Sequence, residues 1–305
     1  MSYIDTLVEQ FPVRKNKKQK ESFCEWAVNE ANSLGYDAKT EWNTGNNNVV
    51  VGNPETAATV FTAHYDTPPV MPVPNFITPK NILFYLIYQI GIVLVLLAIC
   101  LGIGAAVEHF TNSREIGYDV GLLFYWLVLL LMLLGPANKN NVNDNTSGVA
   151  SVFELMARIP AEQRGKVAFI LFDNEEKGMR GSGAYAREHK VVKKEKLIIN
   201  MDCVGEGENI LFFTKKETRA LPFYEKLVSA MQAQAGRNLL MNNMEGCIYP
   251  SDQSQFKHGI AVCACKKAKI IEYYCDKIHT NKDTVCEQEN LDFIANGLAQ
   301  FVSTL

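Results

Sequence analysis

The sequence predicts an α/β chain: a three-layer αβα sandwich around a mostly parallel central sheet. Three observations carry that expectation. Short apolar runs of strand length alternate with stretches of helical spacing. In the run KVAFILF, residues 166–172, every residue after Lys166 is apolar, as in a strand buried on both faces. Three of the runs stop at a histidine or a carboxylate, as strands do when their carboxyl ends line a ligand crevice.

In chain order, residues 1–35 read as helix, with Phe23, Trp26, Ala27 and Leu34 near helical spacing. Tyr36 to Trp42 alternates as a strand does. A Gly- and Asn-rich turn follows at Thr44 to Asn48, then a strand at Val49 to Val51. Thr59 to Ala63 is a short strand ending at His64. Asn145 to Arg158 reads as a helix, with Asp144 or Asn145 as its N-cap. Further strands are expected at Lys166 to Phe172, Leu197 to Met201 and Ile210 to Thr214. Further helices are expected at Met179 to His189, Leu221 to Ala235 and Leu291 to Val302.

Two apolar segments interrupt this pattern. Residues 82–107 (ILFYLIYQIGIVLVLLAICLGIGAAV) carry no charge, which is long enough to cross a bilayer core of ~30 Å. Residues 120–134 (VGLLFYWLVLLLMLL) fall short of the ~20 usually needed, though Tyr118 and the flanking turn can extend them. Aromatic residues sit towards the start of both. The linker has Arg114 as its one Lys or Arg, whereas Lys80, Lys139 and a basic N-terminal segment flank the outside. The positive-inside rule then puts the hairpin loop outside and the rest of the chain in the cytoplasm. The alternative is a soluble cytoplasmic protein in which a buried helical hairpin forms a lid or a dimer interface. The domain division read from this is 1–78 with 137–305 as one catalytic unit, and 79–136 as an inserted, transmembrane hairpin.

Composition narrows the partners. The chain has 305 residues, enough for a large core, and its net charge of -3 argues against nucleic acid. Its eight cysteines include no CxxC pair, so free thiols are expected rather than a disulfide framework, with Cys263 and Cys265 on one face of a strand. The N-terminus has no apolar core of the kind a secretory signal needs, so none is expected.

The chemistry lies where the strands stop. TVFTA is followed by His64, Tyr65 and Asp66; KVAFILF by Asp173, Asn174, Glu175 and Glu176; LIINM by Asp202. So many carboxylate and imidazole groups cannot all stay charged in one dry pocket without a cation, and zinc accepts both kinds of donor. Asp66, two positions from His64, suits a partner for the ring N–H that faces away from a metal.

HYDT, NDNTSGVA, FDNEEKGMRGS, NMDCVG and IHTNKDT occur in that order. Together they resemble the co-catalytic zinc aminopeptidases of clan MH, over about residues 20–70 and 140–305, with the apolar hairpin as an insertion. The resemblance implies a zinc-exopeptidase fold with two Zn²⁺ ions, other divalent metals being possible. His64 and Asp202 would bind one ion, Glu176 and His279 the other, and Asp144 would bridge them. Glu175 would be the general base and Asp66 the orienter of His64. The implied activity is hydrolysis of N-terminal peptide bonds on peptides with a free N-terminus, through a water activated by both metals. The alternatives are a glutaminyl cyclase-like acyltransferase of the same fold and a non-catalytic membrane adaptor. Two features depart from the family: Gln253 stands where a histidine often follows Ser-Asp, and typical secreted members lack the hairpin. Tyr249 and Tyr274 are candidates for oxyanion support, and residues 242–249 and 266–277 for the pocket wall.

Overall fold

The structure is a computed structural model that describes residues 2–243, 245 and 247–305. Its strands are β1 (Ala38–Asn43), β2 (Asn46–Val51), β3 (Thr59–His64), β4 (Val167–Phe172), β5 (Leu197–Met201), β6 (Asn209–Thr214), β7 (Asn238–Asn243), β8 (His258–Ala268) and β9 (Glu272–Tyr274). Its helices are α1 (Tyr3–Gln10), α2 (Lys17–Ser33), α3 (Ile82–Thr111), α4 (Arg114–Leu134), α5 (Gly148–Arg158), α6 (Arg180–Glu188), α7 (Lys190–Glu195), α8 (Lys216–Arg219), α9 (Tyr224–Gln232) and α10 (Gln288–Ser303).

The strands form one sheet in the order β1-β2-β4-β3-β5-β8-β6-β7, with β9 on β8. Its centre, β4-β3-β5-β8, is parallel throughout. Antiparallel pairs flank that centre at β1–β2, β2–β4, β6–β8 and β8–β9. Alternate residues of the central strands enter opposite layers. Phe169, Leu171, Ile199 and Val262 pack with Val152, Phe153, Leu291 and Phe301 of α5 and α10, while Ala168, Ile170, Phe172 and Ile198 pack with Tyr185 and Val192 of α6 and α7. This is the expected sandwich, and covering both faces is what buries β3, β4 and β5 at every position.

Several boundaries differ from expectation for local reasons. The N-terminal helix is two helices, because Pro12 cannot continue α1, and Asn16 caps α2 by accepting from the Gln19 N–H at 3.0 Å. Residues Val142–Ser147 are irregular and α5 starts only at Gly148, so Asp144 does not cap a helix. Instead Asn145 Oδ1 accepts from the Gly148 and Cys203 N–H groups at 3.1 and 3.2 Å. The expected helix over 221–235 starts later, at Tyr224, after Pro222. Strand β8 shows little in the sequence, because Gly259, Ala261 and Ala264 are weak strand formers and its central burial decides its conformation.

Helices α3 and α4 form a long antiparallel hairpin that stands apart from both helical layers. The second helix begins at Arg114, so it has 21 residues rather than the 15 of its most apolar run. Only 6% and 11% of the apolar windows of α3 and α4 are buried, so the hairpin is no core element of the folded chain. The two helices touch most closely near their loop. A Cβ added at Gly117 would lie 2.6 Å from the Gly104 carbonyl oxygen, and one at Gly121 2.8 Å from that of Cys100. Small residues at such a crossing let apolar helices pack backbone to backbone. The eight cysteines are free thiols, and Cys263 and Cys265 do share a face, with sulfurs 3.7 Å apart.

Candidate metal centre

Three neighbouring parallel strands, β4, β3 and β5, end together and bring Glu175, Glu176, His64, Asp66 and Asp202 to one edge of the sheet. Asp144 reaches the same place from the irregular segment before α5, and its peptide bond to Asn145 is cis. His279 arrives from the loop after β9 with a left-handed φ of 63°. Asn174 and Met179 are also left-handed, at 53° and 55°, which turns the chain sharply enough to present Glu175 and Glu176 together.

The side chains converge. Asp144 Oδ1 lies 3.3 Å from His64 Nε2, and its Oδ2 lies 3.1 Å from His279 Nε2. His64 Nε2 is 3.8 Å from Asp202 Oδ1, and His279 Nε2 is 3.3 Å from Glu176 Oε2. Two donor groups with metal-ligand spacing therefore share Asp144: His64 with Asp144 and Asp202, and Asp144 with Glu176 and His279. A third comprises His64, Glu175 and Glu176. All seven residues expected from the sequence are in one cluster. Six of them, with Asn75, Ile77, Cys203, Tyr249, Pro250 and Ile278, line a small cleft, and Asp66 lies behind it.

Asp66 has more to hold than His64. Its carboxylate accepts the backbone N–H groups of Glu175 and Glu176 at 2.9 and 3.3 Å, and stands 3.5 Å from His64 Nδ1, which makes no formed hydrogen bond. Asp283, in the same motif as His279, accepts from the N–H groups of Asn143 and Asp144 at 2.8 and 3.0 Å and so fixes the Asp144 backbone.

Electrostatics here is frustrated. Burial opposes a charge on His64, yet Asp144, Asp202 and Asp66 raise its proton affinity well above the usual imidazole range. Burial opposes a charge on Asp144 too, but the two histidines hold its carboxyl below the usual carboxylate range. Burial pushes Glu175 well above that range, and burial with the charge of Asp144 does the same to Glu176. Asp252, unassigned from the sequence, lies outside these donor groups, yet the charges of His64, Asp66 and Asp202 act on it. It is fully buried, neither carboxylate oxygen has a hydrogen-bond partner, and burial pushes it up to about 7. Buried carboxylates short of positive partners are the donor set that a divalent cation satisfies. Glu176 Oε1, buried and unpartnered, adds an orphan acceptor. Imidazole nitrogen with carboxylate oxygen fits zinc.

The secondary candidates resolve differently. The Tyr249 hydroxyl lines the cleft but donates to the Asp202 carbonyl oxygen at 2.8 Å, so its proton is engaged. The Tyr274 ring stacks on Phe76 and is not part of the cleft wall. Gln253, the departure from the family pattern, accepts from the Asn200 side chain at 3.1 Å and donates to the Tyr249 carbonyl at 2.8 Å, a structural role. Cys203 is buried at the cleft, and burial raises its thiol well above the usual range, as for an inert cysteine. Of the expected wall segments, Tyr249 takes part, while Met244 and Gly246 lie outside the described residues.

The sequence model of peptidase family M28 matches residues 132–302. No curated protein sequence matches the chain significantly. Among solved structures, the chain is similar to a glutaminyl cyclase of Porphyromonas gingivalis, at 12% identity and TM-score 0.62, covering 99% of this chain and 96% of that one. It is similar to a Zn-dependent exopeptidase of Parabacteroides distasonis, at 15% identity and TM-score 0.60, covering 98% and 95%. It is also similar to the LapA aminopeptidase of Legionella pneumophila, at 12% identity and TM-score 0.56, covering 98% and 69%. At such identities the likeness is one of fold.

Proposed function

The chain belongs to peptidase family M28, and from that premise we propose that it is a membrane-anchored aminopeptidase working with two zinc ions. The observation that carries the reading is the placement of Asp144, whose two oxygens face two different histidines from opposite ends of the cluster. His64 and Asp202 would hold one ion, Glu176 and His279 the other, and Asp144 both. When bound, the metal supplies Lewis acidity at the scissile carbonyl and lowers the pKa of the attacking water. Glu175 takes the proton from that water and hands it to the leaving amine, a task suited to a carboxyl whose proton affinity burial has raised. Asp66 holds the Glu175 backbone in register through its N–H. Tyr249 and Asp283 position the Asp202 and Asp144 backbones.

The anchor is the α3–α4 hairpin. Its helices of 30 and 21 residues extend about 45 and about 32 Å, enough for a hydrocarbon core of about 30 Å. Leu83, Leu101, Leu123 and Trp126 are among its exposed side chains. At the root, Lys80 precedes α3, and Lys15 Nζ donates to the Gly135 carbonyl at 2.7 Å where α4 ends. Lys15, Lys80 and Lys139 at the root, against Arg114 alone near the tip, support a catalytic body on the cytoplasmic side.

Full-length protein tested on a panel of aminoacyl reporters and short peptides, with zinc measured alongside, checks this reading. Release of the N-terminal residue is expected, and Glu175→Gln should abolish it while zinc stays bound. Activity that survives in Glu175→Gln would show that the base is misassigned. Ring closure of N-terminal glutamine without residue release would replace the peptidase by a cyclase.

A further inference from the structure

Three walls of the cleft are tied to the root of the hairpin. The first is the segment Val70 to Ile77, of which Asn75 and Ile77 line the cleft. Its Met71 and Asn75 N–H groups donate to the carbonyls of His279 and Ile278 at 2.8 and 3.2 Å. Its other side lies on α3, where the Tyr88 hydroxyl donates to the Pro74 carbonyl at 3.0 Å and the Phe76 ring sits 5.6 and 5.2 Å from those of Phe84 and Tyr88. Tyr88 is six residues into α3, about 9 Å along its axis. The second wall is Tyr249 with Pro250, and the preceding Ile248 N–H donates to the Pro79 carbonyl at 2.9 Å. The third is Glu176, which shares a small cavity with Asp66, Lys177 and Leu133 near the end of α4.

The surface at that level is built for a lipid interface. The segment Val70 to Ile77 reads VMPVPNFI, without a charge. Ile270, 81% exposed at the tip between β8 and β9, has its carbonyl bonded to the Asn81 side chain at 3.2 Å, directly before α3. Lys80 and Lys267 flank that tip over the Tyr273 ring. Apolar side chains edged by lysines match an anionic headgroup layer.

The geometry points to a substrate class: free N-termini of peptides that are themselves held at the bilayer, cut within a few residues of its surface. This rests on the membrane-anchored aminopeptidase reading and adds where its substrate comes from. Because three of its walls are tied to the hairpin root, the cleft lies close to the headgroup level, so a chain lying along the headgroups needs little spacer, whereas a site standing off the membrane needs a long one.

The experiment uses full-length protein in vesicles of neutral and anionic phospholipid, with peptides of one N-terminal sequence joined to a diacyl anchor. Spacers of about 4 and about 15 residues reach about 14 and about 50 Å when extended. The same peptide without an anchor and a soluble aminoacyl reporter serve as controls. Both anchored peptides are expected to be cut at rates within about threefold of each other, and each at least tenfold faster than the free peptide. Cleavage of the long-spacer peptide alone overturns it, as does cleavage of the free peptide with neither anchored one. Silence with all four, reporter included, overturns the aminopeptidase reading itself, and the inference with it. Protein that does not float with the vesicles removes the anchor, with the same consequence.

Discussion

Asp66 Oδ1 accepts the backbone N–H of Glu175 at 2.9 Å, and so a residue two positions past one candidate ligand sets the position of the candidate base and, through Oδ2, of Glu176. Asp66→Asn would turn an amide N–H₂ towards one of these N–H groups. Carboxylates behind a metal site are typically worth about 10–100-fold in affinity or activity. The expected result is a kcat lower by about that factor with KM nearly unchanged, measured on a soluble reporter. An unchanged kcat would mean that the clamp has no bearing on catalysis.

The sharing of Asp144 predicts an asymmetry in metal content. His279→Ala removes a donor from one group and leaves His64, Asp144 and Asp202 intact, so about one zinc per chain should remain. Asp144→Ala takes a donor from both groups and should leave little or none. Elemental analysis of the purified proteins reads this directly, and two equivalents retained in Asp144→Ala would defeat the shared-ligand assignment.

A third prediction concerns stability. Lys20 Nζ lies 2.5 Å from Asp173 Oδ1 and 2.8 Å from Asn174 Oδ1, with both charged side chains at most 10% exposed. Removing one partner of a buried pair strands the other charge, at a cost of about 3–5 kcal/mol. Lys20→Met should therefore lower Tm by about 5–10 °C, and Lys20→Met with Asp173→Asn should recover part of it. A double variant no more stable than the single one would place the loss elsewhere.

Part of the candidate metal cluster was legible in the sequence because His64, Asp66, Glu175, Glu176 and Asp202 close or follow strands buried on both faces. Once β3, β4 and β5 are recognised as parallel neighbours, His64, Glu176 and Asp202 have to meet. Asp144 and His279 were found by resemblance alone, since their loops carry no periodicity. Asp283 and Asp252 went unassigned for another reason: their roles depend on backbone groups and burial that only the folded chain shows. Strand β8 was hidden by its glycine, alanines and cysteines, and the break after α1 turned on a single proline.

The hairpin should be separable from the body. The chain is already stapled beneath it: Val70 N–H donates to the Pro136 carbonyl and Asn138 N–H to that of Pro68, each at 2.8 Å. Replacing residues 82–134 with a short Gly/Ser linker should give a soluble, zinc-binding protein, read by size-exclusion chromatography and metal analysis. A product that is folded but metal-free would show that α3 and α4 help shape the cluster itself.

The sheet order has a consequence for synthesis on the ribosome. β2 and β3 are made before the hairpin, yet both pair with β4, which is made after it. Until β4 emerges, His64 sits on a strand without neighbours, and the nascent chain has only the β1–β2 ribbon to build on. If the hairpin is the proposed anchor, its two apolar helices must therefore reach lipid while the body is still unfinished. Assembly of the sheet is a late event, and for an anchored chain it would be completed beside a membrane already entered.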